Sequence, residues 1–283
     1  AIHGDLWRRH AGDYRTPQGT QTNSRYDAEG GALGASFISK DGFIGVAYQT
    51  YSSLYHIPGI EATERKLRLD LESWRLASRG EWRPKAYGIA AIRGWLGYTE
   101  YKHDEISNDP ATGETSIGST FKNNQLEGRV EVEHMPVLIG LASLSGAVGV
   151  QWGERRLSAS GEGGELLAPV KTDTIAAYLF EELQLTRNLR LQGAFRMESV
   201  RHDGTAAQFP PGLLPPPDEP ALFASEKTFR PASVSFGVLY QLPLGVVARF
   251  TAQQVERAPE ASELFSKGPH EATQTFEIGD PNL

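Results

Sequence analysis

The 283-residue chain holds 10 % aromatic residues, 30 glycines, 17 prolines and two methionines, a composition suited to many strands and turns rather than long helices. Acids and bases are interleaved around a net charge of −7, so there is no basic stripe for nucleic acid, and the lack of cysteine excludes a disulfide framework and a thiolate zinc site. No run of about 18 apolar residues occurs, which argues against a transmembrane helix but not a membrane, because barrel strands need only about 10 residues with one apolar face.

Taken in order, the chain predicts eleven strands, over residues 2–14, 32–39, 43–55, 66–82, 89–103, 121–134, 144–157, 174–185, 189–202, 232–242 and 246–255. Their connections alternate in length. Lys40-Asp41-Gly42 is a tight hairpin whose Asp-Gly pair supplies the positive φ such turns need. Arg83-Pro84-Lys85, Arg187-Asn188 and Pro243-Leu244-Gly245 are equally short. Between them lie the longer stretches at Ile57-Pro58-Gly59, at DEISNDPATGETSIG, at the Gly/Glu-rich 161–169 and at the proline-rich 209–220. An up-and-down barrel with short turns at one end and long loops at the other produces this alternation.

Side chains alternate faces along a strand, and here the two faces differ in kind. Leu126, Val130 and Val132 share one side, while Gln125, Glu127, Arg129, Glu131 and Glu133 share the other. Phe195 and Met197 oppose Arg190, Arg196 and Glu198, and Ala248 and Phe250 oppose Arg249. A soluble sandwich would also alternate. The wide apolar side paired with a charged side in strand after strand, and the aromatics Trp74, Trp82, Trp95, Trp152 and Tyr240 near strand ends, favour a membrane barrel with aromatic girdles. Two strands resist phasing. Leu67, Leu69 and Leu71 share a parity that Trp74 and Leu76 do not, which predicts a bulge, and Glu181 and Glu182 occupy both faces of strand 174–185.

The stretch after the last strand reads VERAPEASELFSKGPHEATQTFEIGDPNL. Its Arg257, Pro259, Glu263-Leu264-Phe265, Gly268-Pro269-His270, Gly279, Pro281, Asn282 and Leu283 resemble, in order and spacing, the late-barrel signature of TonB-dependent outer-membrane receptors. KDGFIGVAYQTYSSLYHIPG and the strand after it resemble the branch that includes zinc-uptake receptors, but the following loop, GIEATERK, lacks the histidines common there. The resemblance implies an all-β fold: an antiparallel transmembrane β-barrel of which residues 1–283 are a portion, ending abruptly at both termini, with the plug and the C-terminal strands outside it. Alone, that portion should be an open sheet with two raw edges.

The resemblance further implies a monomeric receptor in the bacterial outer membrane that is surrounded by lipid. It would bind a scarce small ligand at its outer mouth, such as a metal chelate, siderophore, haem, cobalamin or metal ion. It would import that ligand when the TonB complex acts on the plug. Glu127, Arg129, Glu131, Arg190, Arg196, Glu198 and Arg249 would line the lumen, or form a wall of weak cross-strand ion pairs. His56, His103, His202 and His270 would stand at the outer mouth, where histidines beside carboxylates such as Asp104 and Glu105 could meet a metal, or would simply be polar residues at a membrane boundary. His134 falls at the opposite end. The proline-rich stretch would form a stiff lid or an unstructured crossing.

No nucleophile elbow, phosphate loop, HExxH or dinucleotide motif is present, so neither catalysis nor a cofactor is expected. A passive porin-like channel shares the strand pattern but not the terminal block, and a soluble β-sheet binding module would need its apolar sides pressed together.

Overall fold

A computed structural model describes the whole chain except residues 85, 210–219, 271, 272 and 274. One antiparallel sheet dominates it. β1 (Ile2–Ala11) pairs with β4 (Tyr26–Ser39), and between them lies a small hairpin of β2 (Arg15–Thr16) and β3 (Gly19–Thr20). The chain continues through β5 (Gly42–His56), a short helix α1 (Ile60–Glu64), β6 (Arg68–Trp82), β7 (Ile89–Asn108) and β8 (Thr115–His134). Next come β9 (Val137–Ile139), β10 (Ala142–Gly161), a helical turn α2 (Gly163–Leu166), β11 (Val170–Gln184), β12 (Leu189–Gln208), β13 (Ala221–Phe229), β14 (Ala232–Gln241) and β15 (Val247–Gln254). Then α3 (Ala261–Phe265) leads into a hairpin of β16 (Lys267–His270) and β17 (Thr275–Ile278).

The sheet order is β1-β4-β5-β6-β7-β8-β10-β11-β12-β14-β15, with β9 and β13 attached to β10 and β12. These eleven strands in the path are the predicted ones, and the sheet stays open, with β1 and β15 as exposed edges. At the tight turn, Gly42 has φ 153° and sits against the Glu81 backbone where a Cβ would overlap, so the position demands glycine.

Several boundaries differ from the sequence expectation, each for a reason that pattern does not encode. The expected 104–118 loop is mostly strand: β7 and β8 run on as a ladder to Asn108 and Thr115, and only residues between them turn, helped by Asp109 Oδ1 accepting from the Ala111 and Thr112 amides at 2.7 and 3.1 Å. Its polar residues satisfy the ladder without needing an apolar face. β13 falls where a long loop was expected, and the 161–169 connection contains α2 with Leu166 and Leu167 buried. The first strand ends at Ala11, short of residue 14. The readings for the proline-rich stretch and for Lys85 lie outside the described residues.

The expected bulge in residues 66–82 is absent. β6 keeps one register with both β5 and β7, so Leu69 and Leu71 share a face with Arg75 and Arg79, while Trp74 and Leu76 face the other way. Leu67 and Leu69 are buried near α1, whose Ala62 is buried too. Strand 174–185 also resolves. Glu182 lies on the charged side, accepting from Gln192 at 2.8 Å, and Glu181 lies on the apolar side at the turn end, 3.1 Å from His134 Nε2. Trp95 is the one expected girdle aromatic on the wrong face; it lies between Arg79 and Arg129 on the charged side.

The registers place Leu33, Val46, Leu76, Leu96, Leu126, Val150, Ile175, Phe195, Phe236 and Phe250 on one face, and all are exposed. The buried cluster is elsewhere: Leu166, Leu167, Val170, Ala206, Ala261, Leu264 and Phe265, flanked by Phe121, Leu157 and Phe229. It sits on the opposite, charged face, where the folded-back tail meets β8, β10 and β12.

Candidate functional site: the outer mouth and the polar wall

Two belts of aromatic residues bound the exposed apolar face. Trp82 and Tyr240 lie at the turn end, and Trp74, Tyr48, Tyr98 and Trp152 lie farther up. In the upper belt Trp74 is 5.9 Å from Tyr48 and 5.4 Å from Tyr98, centroid to centroid. Its indole N–H donates to Glu100 Oε2 at 3.0 Å, and the Tyr98 hydroxyl donates to the other carboxylate oxygen at 2.8 Å. A strand rising about 3.3 Å per residue and tilted by about 40° lifts Trp74 about 20 Å above Trp82, close to the about 25 Å apolar band of an outer-membrane barrel.

No helix among the described residues is long and apolar enough to cross a membrane; the strands have that capacity. β7, β8, β10 and β12 each contain 20 residues, about twice what a crossing needs. Their upper halves stand clear of the belt.

On the charged face between the belts, ionic groups form one connected cluster and several separate pairs. Arg93 donates to three carboxylates: Glu81 at 2.7 Å, Glu131 at 3.2 Å and Glu133 at 2.6 Å. Glu131 also accepts from Arg129 at 2.6 Å and from the Tyr178 hydroxyl at 2.9 Å. Arg75 reaches Glu127 at 2.6 Å, Arg196 bonds Glu198, and Arg190 lies 3.6 Å from Glu182. All the lumen candidates named from sequence share this face, with Arg249 on the edge strand. Alternation revealed them; Glu81 and Arg93, central to the network, were missed because the strand of Glu81 was expected to change phase at a bulge and the strand of Arg93 was not divided into faces.

Above the upper belt the same face carries rings. The Tyr26 and Tyr51 hydroxyls lie 3.1 Å apart, and Trp7 is 5.9 Å from Tyr51. Tyr101 approaches His103 Nδ1 at 3.0 Å, and His103 stacks on Phe121 at 4.8 Å and 17°. Phe121 leads to His270 at 6.3 Å. These residues form a group of rings on that face, at the end away from the short turns.

The four outer histidines therefore differ. His103 and His270 converge around Phe121, and His270 Nδ1 lies 2.7 Å from Glu277 Oε1 and Nε2 3.9 Å from the buried Glu105. Burial lowers the His103 pKa below its ordinary value. His56 is locked by its own chain. Arg25 Nε donates to its Nε2 at 2.8 Å, which puts the ring proton on Nδ1, facing Asn23 Oδ1 at 2.8 Å. Asn23, at φ 56°, uses its amide NH2 to tie down the carbonyls of Ile57, Ala62 and Leu67 at 2.7, 3.1 and 2.9 Å. Burial and two arginines lower the His56 pKa. His202 is buried between Thr172, 2.9 Å from Nδ1, and the ring of Phe229, and burial lowers its pKa. His56 and His202 are thus structural fasteners. Among the described residues no three His, Asp or Glu side chains gather as a metal-ligand set.

The terminal block explains its own residue types. Arg257 grips both oxygens of Glu263 at 2.6 and 2.7 Å, and Glu263 also accepts the Glu260 amide at 2.6 Å to start α3. The guanidinium holds the Glu263 carboxyl down to about 2. Leu264 and Phe265 fill the buried cluster. Gly268 lies against the α2 backbone and Gly279 against that of α3, where a side chain would collide. The Asp280 amide donates to the Glu263 carbonyl at 2.8 Å, and Asp280 Oδ1 accepts from the Asn282 amide at 2.8 Å, ahead of the final Leu283. Pro259 stands two residues before α3, Pro269 pairs with Phe276 in the hairpin, and Pro281 lies in the closing turn. Lys267 is buried there, and burial alone lowers its pKa.

The family model described as "TonB dependent receptor-like, beta-barrel" matches residues 3–283. Among solved structures, the open form of the ferric-catecholate import receptor Fiu from E. coli matches with TM-score 0.69 at 13 % identity, covering 91 % of this chain and 50 % of that one. A double mutant of the Serratia marcescens hemophore receptor HasR, in complex with its hemophore HasA and heme, matches with TM-score 0.72 at 12 % identity, covering 98 % and 44 %. The copper transporter OprC matches with TM-score 0.71 at 14 % identity, covering 95 % and 44 %. The chain thus spans about half the length of these structures, and at such identities they speak for the fold alone.

Proposed function

This chain belongs to the TonB-dependent receptor β-barrel family of the bacterial outer membrane, and from that premise we propose that it is part of a receptor importing a scarce extracellular ligand to the periplasm. In this reading residues 1–283 supply a portion of the barrel wall, and the plug, the remaining strands and the contact with the TonB complex belong to other segments of the receptor. The observation that carries it is the division of one sheet into three zones. They are an exposed apolar band, an ionic network on the opposite face and a group of rings beyond the upper aromatic belt, which in this reading meet lipid, the lumen and the outer solvent.

The ring wall favours an organic metal chelate as ligand. Tyr26, Tyr51, Tyr101, His103, Phe121 and His270 offer faces and hydroxyls suited to a conjugated ligand. His103 and His270 are the binding candidates; His56 and His202 support the wall.

The test is uptake by cells that express the full-length receptor in place of their own, supplied in turn with iron chelates, haem, cobalamin and zinc. One chelate class should accumulate, and its accumulation should fall to background when TonB is deleted. Accumulation that persists without TonB would show a passive channel, and no accumulation of any ligand would end the import reading.

A further inference from the structure

The connection from β5 to β6, residues 57–67, stands at the end away from the short turns, beyond Tyr48 of the upper belt. Ala62 and Leu67 anchor it by burial, while Ile60 is exposed. The Ile57 amide donates to the Leu67 carbonyl at 3.1 Å, and the Leu67 amide to the Ala62 carbonyl at 2.8 Å. The carbonyls of these same three residues also converge on one group from another part of the chain, the side-chain NH2 of Asn23. Asn23 is held at φ 56°, in the left-handed region that asparagine enters more readily than most residues.

What orients that NH2 is His56. Its Nδ1 proton fixes the Asn23 oxygen at 2.8 Å, and its Nε2 accepts the Arg25 Nε proton at 2.8 Å. From Arg25 to His56, to Asn23 and on to three carbonyls, every bond runs donor to acceptor in the same direction. That order holds only while the imidazole carries a single proton. A second proton must sit on Nε2, where it faces the Arg25 N–H: a donor then meets a donor and a cation meets a cation. The ring is buried, so it escapes the conflict only by leaving its place.

The charges around the ring come from several elements. Arg25, at the entry to β4, and Arg68, on β6, disfavour the second proton, and Asp13 and Asp27 favour it. Both carboxylates are engaged elsewhere, Asp13 accepting the Ser24 amide at 2.8 Å and Asp27 lying 2.7 Å from His10 Nδ1. On α1 and just after it, Glu61 and Arg65 face each other at 3.9 Å. Tyr14, Tyr26, Tyr51 and Tyr55 line the same recess as His56 and Pro58, and phenols do not titrate in this range.

We propose that His56 closes an acid-released clasp: a second proton on its ring breaks the relay from Arg25 to Asn23, Asn23 lets go of the three carbonyls, and residues 57–67 detach from the outer end of the sheet. Release moves Pro58 and His56 away from Tyr26 and Tyr51 and so reshapes one side of the ring group. The clasp is a property of the loop and stands whether or not the receptor imports. The closed form binds fewer protons than the open one, so opening grows as pH falls below about 6.5, by at most about tenfold per pH unit for one proton.

The test is hydrogen exchange of the full-length receptor in detergent between about pH 8 and 5, the range in which histidine titrates, read as protection factors so that the intrinsic pH dependence of exchange is divided out. The Ile57 and Leu67 amides should lose protection below about pH 6.5, and the Leu33 and Val46 amides in the band should keep theirs. His56→Gln, whose amide accepts from Arg25 and donates to Asn23 without taking up a proton, should keep the loop protected at neutral pH and abolish the acid loss. Asn23→Ala should lower the protection of the same two amides by about tenfold at neutral pH, the loss of a shared hydrogen-bonding group. Should His56→Gln fail to hold the loop, the wild-type protein still decides through the nitrogen NMR shifts of its labelled ring, which must show the Nδ1-protonated form at neutral pH and titrate in step with loop protection. Protection that stays constant on acidification, an acid loss that survives His56→Gln, an equal loss throughout the band, or a ring protonated on Nε2 at neutral pH would each overturn the clasp.

Discussion

Phe250 and Phe265 are separated by a short stretch of chain and live in opposite solvents. Phe250, on the edge strand β15, is 66 % exposed on the apolar band, whereas Phe265, in α3, is 1 % exposed under the folded-back tail. In the band, strands gain nothing from packing against one another through their greasy sides, because lipid already covers those sides. Under the tail, Leu264 and Phe265 leave water by packing against Val170 and Ala206, and each such side chain contributes about 1.5–3 kcal/mol. The same residue types therefore serve the bilayer in one region and a conventional protein core in the other.

The largest break in that contrast comes from Phe265→Ala. It removes a ring from a packed cluster and should cost about 3–5 kcal/mol locally, read as faster hydrogen exchange and proteolysis of the tail in detergent-solubilised receptor. Phe250→Ala should leave both readouts of the tail unchanged. Equal responses would mean that the tail is not an independently packed unit.

Next in size is a charge placed in the band. Val148→Arg should cost about 2–4 kcal/mol near the bilayer midplane, measured as a lower urea midpoint in lipid vesicles, and Gln151→Arg, three residues on, should cost far less because it faces the ionic network. Reversal of that order would put the lipid on the wrong side of the sheet.

A smaller effect separates two glycines on the apolar parity. The Trp152 ring lies across Gly128, where a Cβ would overlap it, and Gly193 has open space around its Cβ position. Gly128→Val should cost about 1–3 kcal/mol by displacing the ring, and Gly193→Val about 0.5 kcal/mol or less; the same vesicle titration compares them.

The band was legible because a period of two with lipid on one side is written directly in sequence, as in Leu126, Val130 and Val132 against Glu127, Arg129 and Glu131. Above the upper belt that code ends. Both faces meet water or protein there, so the last residues of β7 (104–108), the first of β8 (115–120) and the whole of β13 carry no alternation and read as loops. The tail was recognisable by its order of residues, but its role as a core was not, since its partners Leu166, Val170 and Ala206 come from distant strands and loops. The histidines were picked out by topology alone; only geometry separates His103 and His270, grouped around Phe121, from His56, held through both ring nitrogens, and His202, buried against Thr172 and Phe229.

Acid gives the finest comparison of the two regions. Burial depresses the pKa of His202, with the Pro259 carbonyl and Glu260 opposing that shift and Arg155 adding to it. A histidine with a lowered folded pKa binds fewer protons folded than unfolded, so the stability it contributes is present above the unfolded value, about 6.5, and declines as pH falls below it. His103 and His56 have the same sign. Glu263, held down to about 2 by Arg257, contributes above its ordinary value of 4.5 and loses that contribution only between 4.5 and 2. Hydrogen exchange at Leu264 and Phe265 should therefore speed up in two steps on acidification. The first should set in as pH falls below about 6.5 and vanish in His202→Gln, and the second should fall below pH 4.5 and vanish in Glu263→Gln. Exchange in the band strands β10 and β11 between the aromatic belts should stay flat across the first step. A first step that survives His202→Gln would assign it to a group away from the tail and dissolve the link between this buried ring and the core beside it.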